Sequence, residues 1–152
     1  MADAKLLVIW HSNSGATQEM VDAVLAGCRD PEAGDVEVRD VHALEATADD
    51  VLWCDGVILG TPAHFGYMSG ALKHFFDTIY YPCLEDTVGR PYGLYVHGND
   101  DTAGALAALG KITTGLRWRA AQAPLSIVGA PGRADLDAAW ELGASLGAQL
   151  LL

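Results

Sequence analysis

Apolar strand-like runs alternate with amphipathic helix-like runs along the whole chain. Lys5 to Trp10 is continuously apolar after its first residue, which predicts a strand buried on both faces. From Thr17 to Cys28, Met20, Val21, Val24, Leu25 and Cys28 share one helical face. Asp35 to Val41 alternates Val36 and Val38 with polar residues, as an edge or half-exposed strand does. Thr47, Asp49 and Asp50 resemble a helix N-terminus ahead of a short Val51-Leu52-Trp53 helix. Gly56 to Leu59 predicts a third strand. Ser69 then opens a helix with Leu72, Phe75, Phe76 and Ile79 at core spacing, which Pro82 should end. Tyr92 to Val96 reads as strand four, and Leu106, Leu109 and Ile112 mark the next helix. Leu125 to Val128 reads as strand five. Leu136, Trp140, Leu146 and Leu150 lie on a final helix.

This alternation predicts an α/β fold with helices on both faces of a five-stranded parallel sheet, a three-layer sandwich. Right-handed crossovers at this length favour strand order 2-1-3-4-5. A ligand crevice is then expected at the carboxyl ends of strands one and three. The decisive residues should follow Trp10, Leu59 and Val96.

Composition narrows the choice of chemistry. The chain has 152 residues, 51% of them hydrophobic and 19% charged, which suits one domain spanning 1–152. Its formal net charge of −11 argues against a nucleic-acid partner. No apolar run is long enough for a membrane span, and the start Met1-Ala2-Asp3-Ala4-Lys5 lacks the features of a signal peptide. A cytoplasmic protein is expected. Cys28, Cys54 and Cys83 show neither CxxC pairing nor metal-ligand spacing and read as reduced, buried thiols, so no metal is expected.

Three loops hold the candidate chemistry. His11-Ser12-Asn13-Ser14-Gly15-Ala16-Thr17-Gln18 joins the first strand to the first helix. Its hydroxyls and successive backbone N–H groups can wrap an anion without a Lys or Arg, and Gly15 lets a ligand approach closely. An ordinary capped helix start explains the same residues. No GxGxxG follows the strand, and no GxxxxGK[ST] occurs, so the usual dinucleotide fingerprint and the nucleotide P-loop are unsupported. The strand ends lack the acids of a receiver domain.

Gly60-Thr61-Pro62-Ala63-His64-Phe65-Gly66-Tyr67-Met68-Ser69-Gly70 is the most specific stretch. It resembles the flavin loop of the flavodoxin-like superfamily, most closely the WrbA-type NAD(P)H:quinone oxidoreductases, in its Gly-Thr-Pro turn, Phe-Gly pair and Met-Ser-Gly helix start. The resemblance covers the element order of essentially the whole chain. It implies bound FMN, with the phosphate on Ser12, Asn13, Ser14, Gly15, Ala16 and Thr17. It places the isoalloxazine against Pro62, Ala63, His64, Phe65 and Gly66. Pro62 stiffens the turn and Phe65 offers aromatic surface, while Gly66 can let a peptide approach the flavin. Met68 offers soft packing, and the alternative makes Phe65 and Met68 core residues and Gly66 a plain turn.

The loop Val96-His97-Gly98-Asn99-Asp100-Asp101-Thr102 should border the same crevice, with His97, Gly98 and Asn99 as candidates. Asp101 and Thr102 read better as a helix N-cap. His64 and His97 are the candidates for proton delivery. Arg117 and Arg119 suit a solvated turn better than the phosphate of a nicotinamide cofactor.

The resemblance implies an FMN-dependent oxidoreductase that takes reducing equivalents from NAD(P)H to a quinone or similar small-molecule acceptor. A flavodoxin-type carrier serving a redox partner protein, and a flavin-free regulatory or binding domain, are the alternatives. Relatives of WrbA type are longer and form tetramers. A homo-oligomer stays open for this shorter chain.

Overall fold

The computed structural model describes residues 3–152; Met1-Ala2, read above as part of a leaderless start, lie outside the described residues. Seven strands, Ala4–Trp10 (β1), Val36–His42 (β2), Gly56–His64 (β3), Tyr67–Met68 (β4), Pro91–Gly98 (β5), Arg119–Ala120 (β6) and Leu125–Val128 (β7), alternate with five helices. The helices are Gly15–Cys28 (α1), Ala48–Trp53 (α2), Gly70–Cys83 (α3), Ala103–Gly115 (α4) and Arg133–Leu150 (α5). The parallel core runs β2-β1-β3-β5, and β6 and β7 both pair with β5 along its far edge. This is the expected 2-1-3-4-5 order with its fifth strand in two pieces, which flank Ala121 to Pro124.

Strand alternation sorts the core into two layers. Leu7 and Ile9 of β1, with Leu59 and Val96, pack on α3 and α4 through Leu72, Phe75, Phe76, Ile79 and Leu109. Leu6 and Val8, with Ile58 and Tyr95, pack on α1 and α5 through Met20, Val21, Val24, Leu142 and Leu146. β1 is buried on both sides because each of its faces meets a helical layer. β2 lies at the edge and stays half-buried, as its alternation requires.

Two expectations need correction. The third strand does not stop at Leu59. It continues through Gly60-Thr61-Pro62 to His64, with Thr61 paired to Val96 and Pro62 to His97. Pro62 is tolerated there because β1 ends opposite Gly60, so its missing N–H breaks no ladder on that side. The stretch read as an open loop then turns at Phe65-Gly66 into β4, an antiparallel hairpin with Ala63 opposite Met68 and His64 opposite Tyr67. Pro82 also lies inside α3, which ends one residue later at Cys83.

Capping fixes the helix starts. Thr47 and Asp50 form a reciprocal capping box on α2. Ser69 caps α3 through its hydroxyl. Thr102 occupies the N-cap position of α4, but its hydroxyl bonds Ser126, while the Asp101 carboxylate accepts from the Ala103 N–H. Cys28, Cys54 and Cys83 are free and buried. Among the described residues, no helix is long and apolar enough to cross a membrane.

Candidate functional site

The carboxyl ends of β1, β3, β5 and β7 converge on one open cleft of about 320 Å³. The first junction contributes Asn13, Ser14, Ala16 and Thr17, the end of β3 contributes Pro62, Ala63 and His64, and the end of β5 contributes His97, Gly98 and Asn99. These ten positions are among those singled out in the sequence. Ser12, Gly15, Phe65 and Gly66 do not line the cleft. Gly129 and Ala130, just past β7, also line it. They follow the fifth strand at the same sheet edge, and that topological rule would have found them.

The first junction is a built helix start. The Ser14 hydroxyl accepts from the Thr17 N–H at 3.2 Å and lies 3.1 Å from Thr17 Oγ1. Ser12 Oγ donates to the Ser14 carbonyl at 3.1 Å, so its proton is used within the loop. The N–H groups of Gly15 and Ala16, at the first two positions of α1, have no intrahelical acceptor. A Cβ on Gly15 would meet nothing within 4 Å, so the fold itself does not demand glycine there. Asn13 Nδ2 lies 2.8 Å from His64 Nε2 and ties this loop to the end of β3.

Thr17 is fully buried and reaches 3.1 Å from His97 Nδ1, while His97 Nε2 lies 2.8 Å from the Gly129 carbonyl oxygen. Three junctions are thereby linked through side chains. No Lys or Arg lines the cleft. A dianion seated here must therefore be held by neutral donors, the helix start and the two histidines.

The hairpin forms the rim. Phe65 and Gly66 both have positive φ, 52° and 74°. Phe65 is completely exposed and Tyr67 partly so, whereas Met68 is buried in the core. Phe65 is therefore not a core residue, and Met68 is not a wall of the cleft. Arg119 pairs with Pro91 at the opposite end of β5, about 20 Å of strand away from His97. Arg117 contacts Glu85 and the Leu84 carbonyl there. Neither arginine reaches the cleft, in keeping with a solvated turn.

A second histidine group flanks the first junction. The His11 ring stands edge-on to His42 and His64, with centroids 5.4 and 5.9 Å apart. Burial lowers the His11 pKa from its ordinary value, and the charges of His42 and His64 lower it further. Among the described residues, no set of three or more His, Cys, Asp or Glu side chains is arranged to hold a metal ion.

Comparison with known proteins decides the family. The family model described as NADPH-dependent FMN reductase matches residues 5–130. The chain belongs to that family. It lies within the flavodoxin-like superfamily, as its fold and relatives show. FMN is accordingly the cofactor.

A flavodoxin of Aquifex aeolicus is 43% identical over 75 residues, covering 49% of this FMN reductase family member and 40% of the relative. An NAD(P)H dehydrogenase (quinone) of Acidithiobacillus ferrooxidans is 34% identical over 92 residues, covering 49% and 46% of the two chains. The family member thus spans less than half the length of these curated relatives. Among solved structures, a flavodoxin from the domain Archaea superposes with a TM-score of 0.82 at 17% identity, covering 96% of this chain and 98% of that one. A WrbA-like protein from Agrobacterium tumefaciens gives 0.69 at 18% identity, covering 97% and 99%. At these identities the structural likeness establishes the fold.

The cleft residues fit FMN. Its lining combines an anion-compatible helix start, the end of β3 beside the exposed aromatic hairpin, and the backbone of Gly98 and Gly129.

Proposed function

We propose that the protein binds FMN in this cleft and passes reducing equivalents from NAD(P)H to a quinone or similar small-molecule acceptor. The convergence of neutral donors at the start of α1 with the Pro62–Gly66 hairpin, in a chain of the FMN reductase family, carries this reading. The quinone-reducing relative supports the acceptor class.

Bound FMN supplies the redox chemistry. The chain supplies position. The Gly15 and Ala16 N–H groups and the Ser14 and Thr17 hydroxyls hold the phosphate. Pro62 and Ala63 would give the ring an apolar wall, with Phe65 and Gly66 on the hairpin rim beside it. Asn99 can donate and accept at the polar edge of the ring. His64, fixed by Asn13, is the group placed to exchange a proton with an acceptor. Asn13 and His64 thus join the phosphate end to the ring end. Residues 1–152 act as one flavin-binding domain in the cytoplasm.

Titration of apoprotein with FMN tests the first half, with saturable quenching of flavin fluorescence expected. The FMN-loaded protein should then oxidise NAD(P)H when a quinone is supplied. Absence of saturable FMN binding overturns the proposal.

An electron carrier docking on a basic redox protein is the second reading. The net charge of −11 and the absence of a cation lining the cleft favour it. A loaded protein that accepts electrons from a reductase but leaves NAD(P)H untouched would decide for the carrier.

A further inference from the structure

Both ring nitrogens of His97 are engaged. Nε2 faces the Gly129 carbonyl oxygen at 2.8 Å, and a carbonyl oxygen only accepts, so Nε2 carries a proton. In the neutral ring Nδ1 then holds a lone pair, and the Thr17 hydroxyl must donate to it across 3.1 Å. The Ser14 hydroxyl, 3.1 Å from Thr17 Oγ1, donates to Thr17 in turn. Both hydroxyl protons then point inward, away from the cleft that Ser14 and Thr17 line.

In the imidazolium form the relay reverses. Nδ1–H donates to Thr17 Oγ1, and one hydroxyl proton of the pair is released toward the cleft. The charge state of His97 therefore decides whether the Ser14–Thr17 pair adds a hydroxyl donor to the Gly15 and Ala16 N–H groups at this end of the cleft, or offers it only lone pairs. A phosphate dianion needs donors and favours the protonated ring behind them.

We propose that His97 is a positioning and specificity-determining residue: its protonation on ligand binding turns the Ser14–Thr17 hydroxyl pair toward the phosphate and so selects FMN over the dephosphorylated flavin. The inference rests on the flavin reading above.

The surroundings leave His97 this role. His64 on β3 is the other cleft-lining group able to carry positive charge. The acids on neighbouring elements are Glu19 and Asp22 on α1, Asp100 and Asp101 after β5, and Asp135, Asp137 and Glu141 on α5. Asp22 accepts from Gln18, Asp101 from the Ala103 N–H and Asp135 from the Gly132 N–H. None bonds the His97 ring, whose two nitrogens are used by Thr17 and Gly129.

Calorimetric titration of apoprotein with FMN and with riboflavin, in buffers of different ionisation heat near neutral pH, tests this. Net proton uptake is expected with FMN and not with riboflavin. The FMN-to-riboflavin affinity ratio should fall about tenfold from mildly acid to alkaline pH, the size of one charge-assisted hydrogen bond. His97→Gln keeps a polar group but cannot take up a proton. It should abolish the uptake and lower the FMN-to-riboflavin affinity ratio about tenfold. Imidazole NMR signals of the wild-type chain give a check that needs no variant, since His97 should become protonated on FMN binding alone. FMN binding without proton uptake, or equal uptake with both flavins, overturns the inference while leaving the flavin site standing. Absence of FMN binding removes the flavin reading and this inference together.

Discussion

Gly104, the second residue of α4, lies against the Gly66 carbonyl oxygen so closely that any Cβ would overlap it. The contact couples the hairpin tip to a helix start, backbone against backbone, and neither side can yield as a flexible side chain would. Replacing a helical glycine by alanine ordinarily stabilises by up to about 1 kcal/mol. For Gly104→Ala the sign should reverse, with a loss of about 1–3 kcal/mol from overpacking and displacement of the hairpin. Gly110 in the same helix has open space where a Cβ would sit, with nothing within 4 Å, and Gly110→Ala should gain about 1 kcal/mol. Urea unfolding of the two variants checks the contrast. FMN affinity should fall only for Gly104→Ala.

Phe65 stores strain at the rim. With Gly66 it forms a two-residue hairpin turn in which both φ values are positive, a geometry that suits Asn-Gly far better than Phe-Gly. The Phe65 side chain is fully exposed, so no packing within the chain compensates. Strain without internal compensation points to a role outside the fold. Phe65→Asn should therefore raise stability by about 1 kcal/mol and weaken FMN binding. Thermal melts and flavin titration measure the two effects separately. A variant that loses stability and keeps its flavin affinity would contradict the assignment.

Where burial is continuous, the fold was legible in the residues. β1 shows as an unbroken apolar run because both its faces are covered, and α1 and α3 show because their buried residues recur at helical spacing. The extension of β3 was hidden by Gly60-Thr61-Pro62, whose composition signals a turn. Its pairing to β5 is a long-range fact with no local mark. β6 has two residues, too few for any periodicity. That the first junction and the β5 end would meet at one cleft was legible from strand-end topology. The bond from His97 to Gly129 was not, because it joins residues 32 positions apart through a backbone oxygen.

Tyr95 and Gly60 are direct neighbours across β5 and β3, and the Tyr95 ring lies over the Gly60 Cα. The ring is completely buried, and its hydroxyl has no partner among the described residues. Burial holds that hydroxyl protonated, well above the usual phenol range. Removing an unsatisfied buried donor while keeping the ring should stabilise, so Tyr95→Phe is expected to gain about 1–3 kcal/mol. Gly60→Ala should lose a similar amount by forcing the ring off its strand, about 1–3 kcal/mol. Denaturant unfolding of both checks the pair, and a destabilised Tyr95→Phe would show that the hydroxyl does find a partner.

The histidine group beside the first junction gives stability a pH dependence whose sign follows from His11. Burial, then the charges of His42 and His64, holds its folded pKa below the ordinary 6.5. The unfolded chain, with the ordinary value, binds the proton first as pH falls. Between the lowered value and about 6.5 the unfolded state therefore carries more protons, and stability must rise with pH across that window. Below about 6.5 the contribution is progressively lost, and it levels off once the folded form is protonated too. Melting temperature should thus drop from neutral to mildly acid pH. His11→Leu, which removes the titrating group, should flatten part of that drop. His74→Gln, at an exposed position on α3, should leave it unchanged. Equal slopes in the wild type and the His11 variant would assign the acid sensitivity elsewhere.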